Sequence, residues 1–348
     1  MVKTYKCPNC GADMVFDADK QILRCHHCQT EKTITSIEDE EASKKVQTPP
    51  LKTAQESTED FKMFHCPTCG AEVLTDLNTA ATFCSYCGSP TLIESRLTGV
   101  VTPDYIIPFK TSLAKAKEAY KRWTRKGLFV PSSFSSQNTI EKITGIYVPF
   151  WLYDYHSKIQ LDAHCTRTRR RYTSNTEYIY TDHYRVYRDI EADFLKVPAD
   201  ASEKMDDTIM DQLEPFNYSE LTDFQMPFLS GYQAEKYNFS SEHLIPRIEQ
   251  RVDRYISDVA RTTIQGYDST MVTSENTQLH PITSHYSLFP VWVLNYRYKN
   301  KNYSFTMNGQ TGKVVANLPI SYGKVCLWFF LIFVVIFIIA AIIGSFIL

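Results

Sequence analysis

Ten cysteines stand in this chain of 348 residues, and eight of them fall into two copies of one pattern. Cys7-Pro-Asn-Cys10-Gly is followed after fourteen residues by Cys25-His-His-Cys28, and Cys66-Pro-Thr-Cys69-Gly is followed after the same gap by Cys84-Ser-Tyr-Cys87-Gly. A CxxC pair turns back tightly enough to aim two sulfurs at one point. Two such pairs supply the four thiolates that tetrahedral Zn²⁺ takes in structural sites, at about 2.3 Å from each sulfur. A lone CxxC could be a redox pair or an accident, but equal spacing repeated 59 residues later argues for two structural zinc sites.

The expected ligands are Cys7, Cys10, Cys25 and Cys28 in one site and Cys66, Cys69, Cys84 and Cys87 in the other. Four protein ligands close a zinc ion to water and substrate, which argues against a catalytic metal. Glycine after Cys10, Cys69 and Cys87 fits a knuckle whose backbone turns through positive φ while its amides face sulfur. His26 and His27 are read as bystanders, with replacement of one cysteine by either imidazole as the alternative.

The elements that must hold these sites are read as α+β. Zinc ribbons are expected at 1–35 and 63–92, joined by a charged, Pro-containing tether over 36–62 that has few large apolar residues. A mixed strand and helix body follows over 93–322. Leu113, Ala116, Tyr120 and Trp123 recur at helical spacing until Gly127, with Lys115, Lys117, Lys121 and Arg122 on the wet side. A second helix carries Ile248, Val252, Tyr255, Ile256 and Val259, entered through Pro246 and stopped at Gly266, with Arg247, Arg251 and Arg254 outward. Ile159, Leu161, Ala163 and Cys165 alternate as a strand, and further β segments run from Tyr178 to Val186. Asn308-Gly309 and Thr311-Gly312 between Tyr303-Ser-Phe305 and Val314-Val315 signal a hairpin. Pro149, Trp151 and Tyr155 echo Pro290, Trp292 and Tyr296, which would make two related lobes unless aromatic strands simply resemble one another.

Composition sets limits. The chain is 43% hydrophobic and 13% aromatic, which suits packed domains, and its net charge of -2 weakens a general nucleic-acid binder. Zinc-binding thiols imply a reducing, cytosolic setting for the N-terminal part. No signal peptide is read before Cys7. From Cys326 to Leu348 there are 23 residues without a charge. At 1.5 Å per helical residue they reach roughly 34 Å, enough to span a hydrocarbon core. A transmembrane tail anchor is therefore expected over 323–348, with Tyr322, Lys324 and Trp328 at the interface and the bulk of the chain cytoplasmic.

Catalytic signatures are missing from the sequence: there is no HExxH, GxSxG or dinucleotide-type glycine cluster. Gly309-Gln-Thr-Gly312-Lys313 is too short between its glycines for a phosphate loop and reads as a hairpin turn. His156, His164, His183 and His285 lie on strand-like segments, and Asp154 and Asp162 would make an acid pair only if the fold brought them together. Arg167, Arg169, Arg170 and Arg171 form the one basic cluster, open to anionic lipid, an acidic partner, nucleic acid or a solvated loop.

With CPxCG ribbons in front, a Tyr-rich body containing YVPFWLYDY and NGQTGKVVANLPISYGK, and an apolar end, the chain resembles membrane-anchored zinc-ribbon proteins of Gram-positive bacteria. Such proteins are often labelled replication-restart helicase-like or transcription-factor-type zinc-ribbon proteins, although the motor motifs of a helicase are missing here. The resemblance implies a setting beside phage-shock-type and flotillin-like (SPFH) proteins, some of which relatives are thought to help place at the membrane. The function expected is a non-enzymatic adaptor that positions protein partners at the cytoplasmic face. The alternative is a membrane-tethered nucleic-acid binder. A third reading is an enzyme acting on lipid or envelope precursors.

Overall fold

The computed structural model describes residues 5, 7–34, 61–76, 84, 86, 93–95, 102–127, 129–299, 301–317 and 319–347. In chain order the strands are β1 (Met14–Asp17), β2 (Ile22–Cys25), β3 (Glu31–Lys32), β4 (Phe61–His65), β5 (Glu72–Asp76), β6 (Ile93–Ser95), β7 (Tyr105–Ile106), β8 (Thr144–Thr173), β9 (Thr176–Asp200), β10 (Thr222–Asp223), β11 (Gln233–Glu235), β12 (Ser269–Tyr298), β13 (Lys301–Asn308) and β14 (Val314–Ala316). The helices are α1 (Leu113–Arg125), α2 (Gln137–Ile140), α3 (Asp207–Leu213), α4 (Ser241–Thr262) and α5 (Tyr322–Ile347). They fall into two compact units. Unit 1 comprises Met1–Pro149, Glu203–Lys236 and Leu288–Leu348, and unit 2 comprises Phe150–Ser202 and Tyr237–Ser287. The units interleave along the chain, so the Trp151 and Trp292 echo marks neighbouring strands, β8 and β12, rather than sequential halves.

Unit 1 holds both cysteine clusters and α5. β1, β2 and β3 form a small antiparallel sheet. The larger sheet runs β10-β7-β12-β8-β11-β5-β4-β6, with β13 and β14 added beyond β12. Its aromatic centre stacks Phe109 on Tyr232 with ring centroids 4.2 Å apart, with Tyr147 and Trp292 each 5.0 Å from Phe109. Such rings contribute more than their buried area when edges and faces meet. The expected β13–β14 hairpin is present, with Thr306 opposite Val315. Gly309 in its turn is required by packing, because a Cβ there would lie 2.6 Å from the Phe109 ring. Gln310 in the same turn bonds Asn217 and Glu220, and Lys313 bonds the Glu214 carbonyl, so the loop is occupied by the protein's own groups. In α1, Ala116, Ala119, Tyr120 and Thr124 are buried, and the helix gives way at Lys126 just before Gly127.

Unit 2 is built on a hairpin longer than the sequence pattern suggested. β8 and β9 pair from Phe150 opposite Asp200 to Thr173 opposite Thr176, with one register shift between Tyr153 and Tyr155. At about 3.3 Å per residue this is roughly 75 Å of ladder. Lys196 (φ 58°) donates its amide to Asp154 Oδ1 at 2.7 Å, which satisfies the bulged backbone. Ile159, Leu161, Ala163 and Cys165 are buried as the alternation required, against Ile256 and Ala260 of α4. That helix starts at Ser241, earlier than Pro246 led us to expect; Pro246 stands inside it. The reason is the buried row Leu244, Ile248, Val252, Ile256 and Ala260, whose spacing of four extends the apolar face upstream of the proline. Arg247 and Arg251 are not outward: they reach Asp200 at 3.3 Å and the Pro198 carbonyl at 2.8 Å.

Candidate metal centres

Three cysteine knuckles share one backbone design. In each, the first cysteine's amide donates to the carbonyl five residues on: Cys7 to Ala12, Cys25 to Thr30 and Cys66 to Ala71. In each, the residue after the second cysteine donates back to the first cysteine's carbonyl: Gly11, Gln29 and Gly70. That residue has positive φ every time, 72° at Gly11, 72° at Gly70 and 63° at Gln29. Glycine adopts this without cost, and Gln29 shows that a side chain is tolerated in the third knuckle. Cys87 and the glycine after it lie outside the described residues.

The sulfurs converge. Sγ atoms of Cys7, Cys10, Cys25 and Cys28 all lie within 4.8 Å of one another, as do those of Cys66, Cys69 and Cys84. Cys7 and Cys28 are 3.3 Å apart, Cys10 and Cys25 3.5 Å, and Cys69 and Cys84 3.6 Å. Four sulfurs at 2.3 Å from a tetrahedral ion would sit about 3.8 Å from each other, so only a small expansion admits zinc. His26 and His27 are exposed and outside the cluster, which leaves the four-cysteine set. Without a cation the thiols oppose one another. Burial raises the Cys7 thiol, but amides of Cys10 and Asn9 and the Thr30 hydroxyl bring it down to about 6. Cys10, although the Ala12 backbone favours its thiolate, is pushed up to about 12 by Cys28, burial, Cys25 and Cys7. A divalent ion removes that conflict by stabilising every thiolate together.

Each ribbon is locked into unit 1. Phe16 on β1 is buried and meets Phe228 edge-on at 5.3 Å, and its amide donates to the Ser230 carbonyl at 3.1 Å. Gly231 (φ 84°) lies against Val15, where a Cβ would be 2.3 Å from a methyl carbon. Lys115 on α1 reaches Asp19 at 2.7 Å and holds that carboxyl below its ordinary range. In the second ribbon β5 pairs with β11, which pairs in parallel with β8. β6 pairs with β4, so the ribbon's sheet runs to Ser95. Tyr86, between Cys84 and Cys87, donates to Glu235 Oε2 at 2.5 Å. Consequently Met14, Phe16 and Val73 are buried in the protein's own packing.

The other sequence candidates do not assemble into a site. Asp154 and Asp162 stand eight residues apart on β8, roughly 26 Å. Asp154 is bonded to Lys196 and Thr283, and Asp162 to Arg185. His156 bonds Asp193, and His164 meets His183. Two of the four arginines of the basic cluster meet carboxylates, Arg169 with Asp182 at 2.8 Å and Arg170 with Glu177 at 3.4 Å, while Arg167 grips the Gly266 carbonyl. α5 is the one helix among the described residues long and apolar enough to cross a membrane, with a mean hydropathy of 2.5 over Tyr322–Ile339.

Residues 7–32 match the family described as the PriA DNA helicase Cys-rich region (CRR) domain, which fits the structural zinc assigned here. Over 329 residues the chain is 40% identical to the uncharacterized protein YdjG of Bacillus subtilis strain 168, covering 94% of each chain. It belongs to the YdjG family. An uncharacterized protein of Archaeoglobus fulgidus is 44% identical over 41 residues, 11% of this chain and 53% of that one. No solved structure matches. The YdjG likeness spans ribbons and body alike, so the two-unit architecture is a property of the family's full length rather than of the short ribbon motif.

Proposed function

We propose that this YdjG-family chain is a non-enzymatic, membrane-anchored zinc-ribbon adaptor that positions protein partners at the cytoplasmic face, in the setting of membrane stress. The observation that carries the reading is the joining, in one compact unit, of a four-cysteine cluster, a second cluster with three described cysteines and an apolar helix of which no residue over Tyr322–Ile339 is buried. Zinc here stiffens a scaffold, and the helix fixes its place, which raises local concentration at a surface without new chemistry. A cleft of about 500 Å³ lies beside Cys69 and Tyr86, and among its described lining residues the one carboxylate is Asp206, which accepts from the amide of Ile209. Flotillin-like and phage-shock-type proteins are the partner classes to try first. The partner surface lies outside the inner ribbon faces, since those are covered.

The test has two arms. Alkaline carbonate extraction should leave the full chain with membranes and release a chain truncated before Tyr322. Crosslinking in intact membranes should then retrieve a protein partner in fixed ratio. A full chain that extracts with carbonate, or one that crosslinks to no protein, would sink the adaptor reading. The match of residues 7–32 motivates the second reading, nucleic-acid binding. It requires affinity for DNA or RNA that falls steeply with salt.

A further inference from the structure

We propose that the foot of α5 carries a collar for the phosphate groups of anionic lipids, formed by Arg125, Lys126, Lys299 and Lys301; this rests on the membrane reading of α5. Two chain segments are fastened to the helix foot. On one side the Ser321 amide donates to the Phe129 carbonyl at 2.8 Å, and Lys324 Nζ donates to the Val130 carbonyl at 2.6 Å. Arg125 and Lys126, at the end of α1, enter this segment through a tight turn in which the Gly127 amide reaches Thr124 and the Val130 amide reaches Gly127. On the other side the β12–β13 turn holds Lys299 Nζ 5.5 Å from the centre of the Tyr322 ring and 5.6 Å from that of Tyr298.

All four cations are exposed, and among the described residues none is in an ion pair. Lys158, Arg169, Arg170, Arg185 and Arg261, by contrast, each meet a carboxylate. What sets the four apart is their place, on the two segments fastened to the foot of the apolar helix. Tyr322 is 70% exposed and Trp328, six residues further along, is 41% exposed. At 1.5 Å per residue Trp328 stands about 9 Å deeper, so the amphipathic rings and the cations occupy the depth where headgroups meet acyl chains. A helix crossing the bilayer forces this ring of charge into the headgroup plane. That geometry selects a lipid phosphate over a soluble anion, and a cation over an aromatic face remains available to it.

The test uses the full chain in vesicles of equal phosphatidylglycerol and phosphatidylcholine, with lipids that stay bound after release counted by native mass spectrometry. The intact protein should retain phosphatidylglycerol several-fold over phosphatidylcholine. The variant R125Q/K126Q/K299Q/K301Q should lose that preference while keeping its zinc, its circular dichroism and its resistance to carbonate. The variant R169Q/R170Q, which removes cations already paired, should keep it. Equal retention of both lipids by the intact chain overturns the collar, as does a preference that survives the fourfold change. Loss of carbonate resistance in the intact chain would instead overturn the membrane reading itself, so the two failures separate.

Discussion

Tyr86 donates a 2.5 Å hydrogen bond to Glu235, which adds a side-chain tie between the zinc knuckle and strand β11 to the β5–β11 pairing. Glu235 is buried. Burial first, then the charge of Glu235 and the bond to it, hold the Tyr86 phenol well above its ordinary range, so it stays a donor at every physiological pH. Replacing it by phenylalanine keeps the ring and removes one donor from a buried carboxylate. Tyr86→Phe should cost about 1–3 kcal/mol of unfolding free energy, and more than a neutral bond would because the acceptor is a carboxyl group. Urea melting of a detergent-solubilised chain checks this, with zinc content unchanged at the start of the titration. A variant as stable as the parent would show that the ribbon is held to the body by strand pairing without this bond.

Zinc removal should have unequal structural reach at acid pH. Protons compete with the metal for thiolates, so affinity falls as pH drops. The first ribbon enters unit 1 through β1 side chains such as Phe16, while the second contributes strands β4, β5 and β6 to the main sheet. Cys66→Ser should therefore raise amide hydrogen exchange in β5 and β11, whereas Cys7→Ser should raise it in β1 and β2 and leave β11 protected. Exchange measured by mass spectrometry distinguishes them, and identical exchange maps for the two variants would contradict the different docking modes.

Much of this was legible in the sequence, and the failures are instructive. The cysteine spacing foretold the clustering of Cys7, Cys10, Cys25 and Cys28 and of Cys66, Cys69 and Cys84 because a metal site is a local constraint, and Gly11 and Gly70 turn where the motif required. The strand Ile159 to Cys165 was equally plain, since one buried face imposes a period of two. Residues 269–285 of β12 carry no plain strand signal because they are rich in Thr and Ser, and pairing with β8 adds to what Val272 and Leu279 pack against the core. Pro246 looked like a helix entrance, but Leu244 two residues earlier is buried with Ile248 and overrides it. The inward reach of Arg247 could not be read locally at all. Its partner, Asp200, lies far away in sequence.

Alkaline pH should destabilise both units. Burial raises the phenols of Tyr120, Tyr147, Tyr232 and Tyr153 above the ordinary value near 10. A group with its folded pKa above its unfolded one binds more protons in the native state. Its stabilising contribution is complete below about pH 10 and is lost as pH rises through the folded value. Tyrosinate absorbance near 295 nm should thus show this buried set ionising only as circular dichroism is lost. A single smooth titration of all tyrosines before unfolding would refute the burial pattern.

Gly231 tests how tightly the first ribbon is held. Its φ of 84° belongs to the left-handed region, and a Cβ built there would stand 2.3 Å from a methyl carbon of Val15 on β1. Gly231→Ala combines backbone strain with a steric clash, together on the order of 1–3 kcal/mol. The clash can be relieved and the strain cannot. Val15→Ala in the same chain should recover part of the loss, since it removes the offending methyls, while Val15→Ala alone should cost little because Val15 is only half-buried. Thermal melting of the two single variants and the double variant gives the interaction energy from the cycle. Additive losses with no recovery would mean that Val15 and Gly231 do not share a contact, and the ribbon would then be held by Phe16 and the Ser230 carbonyl without this close approach.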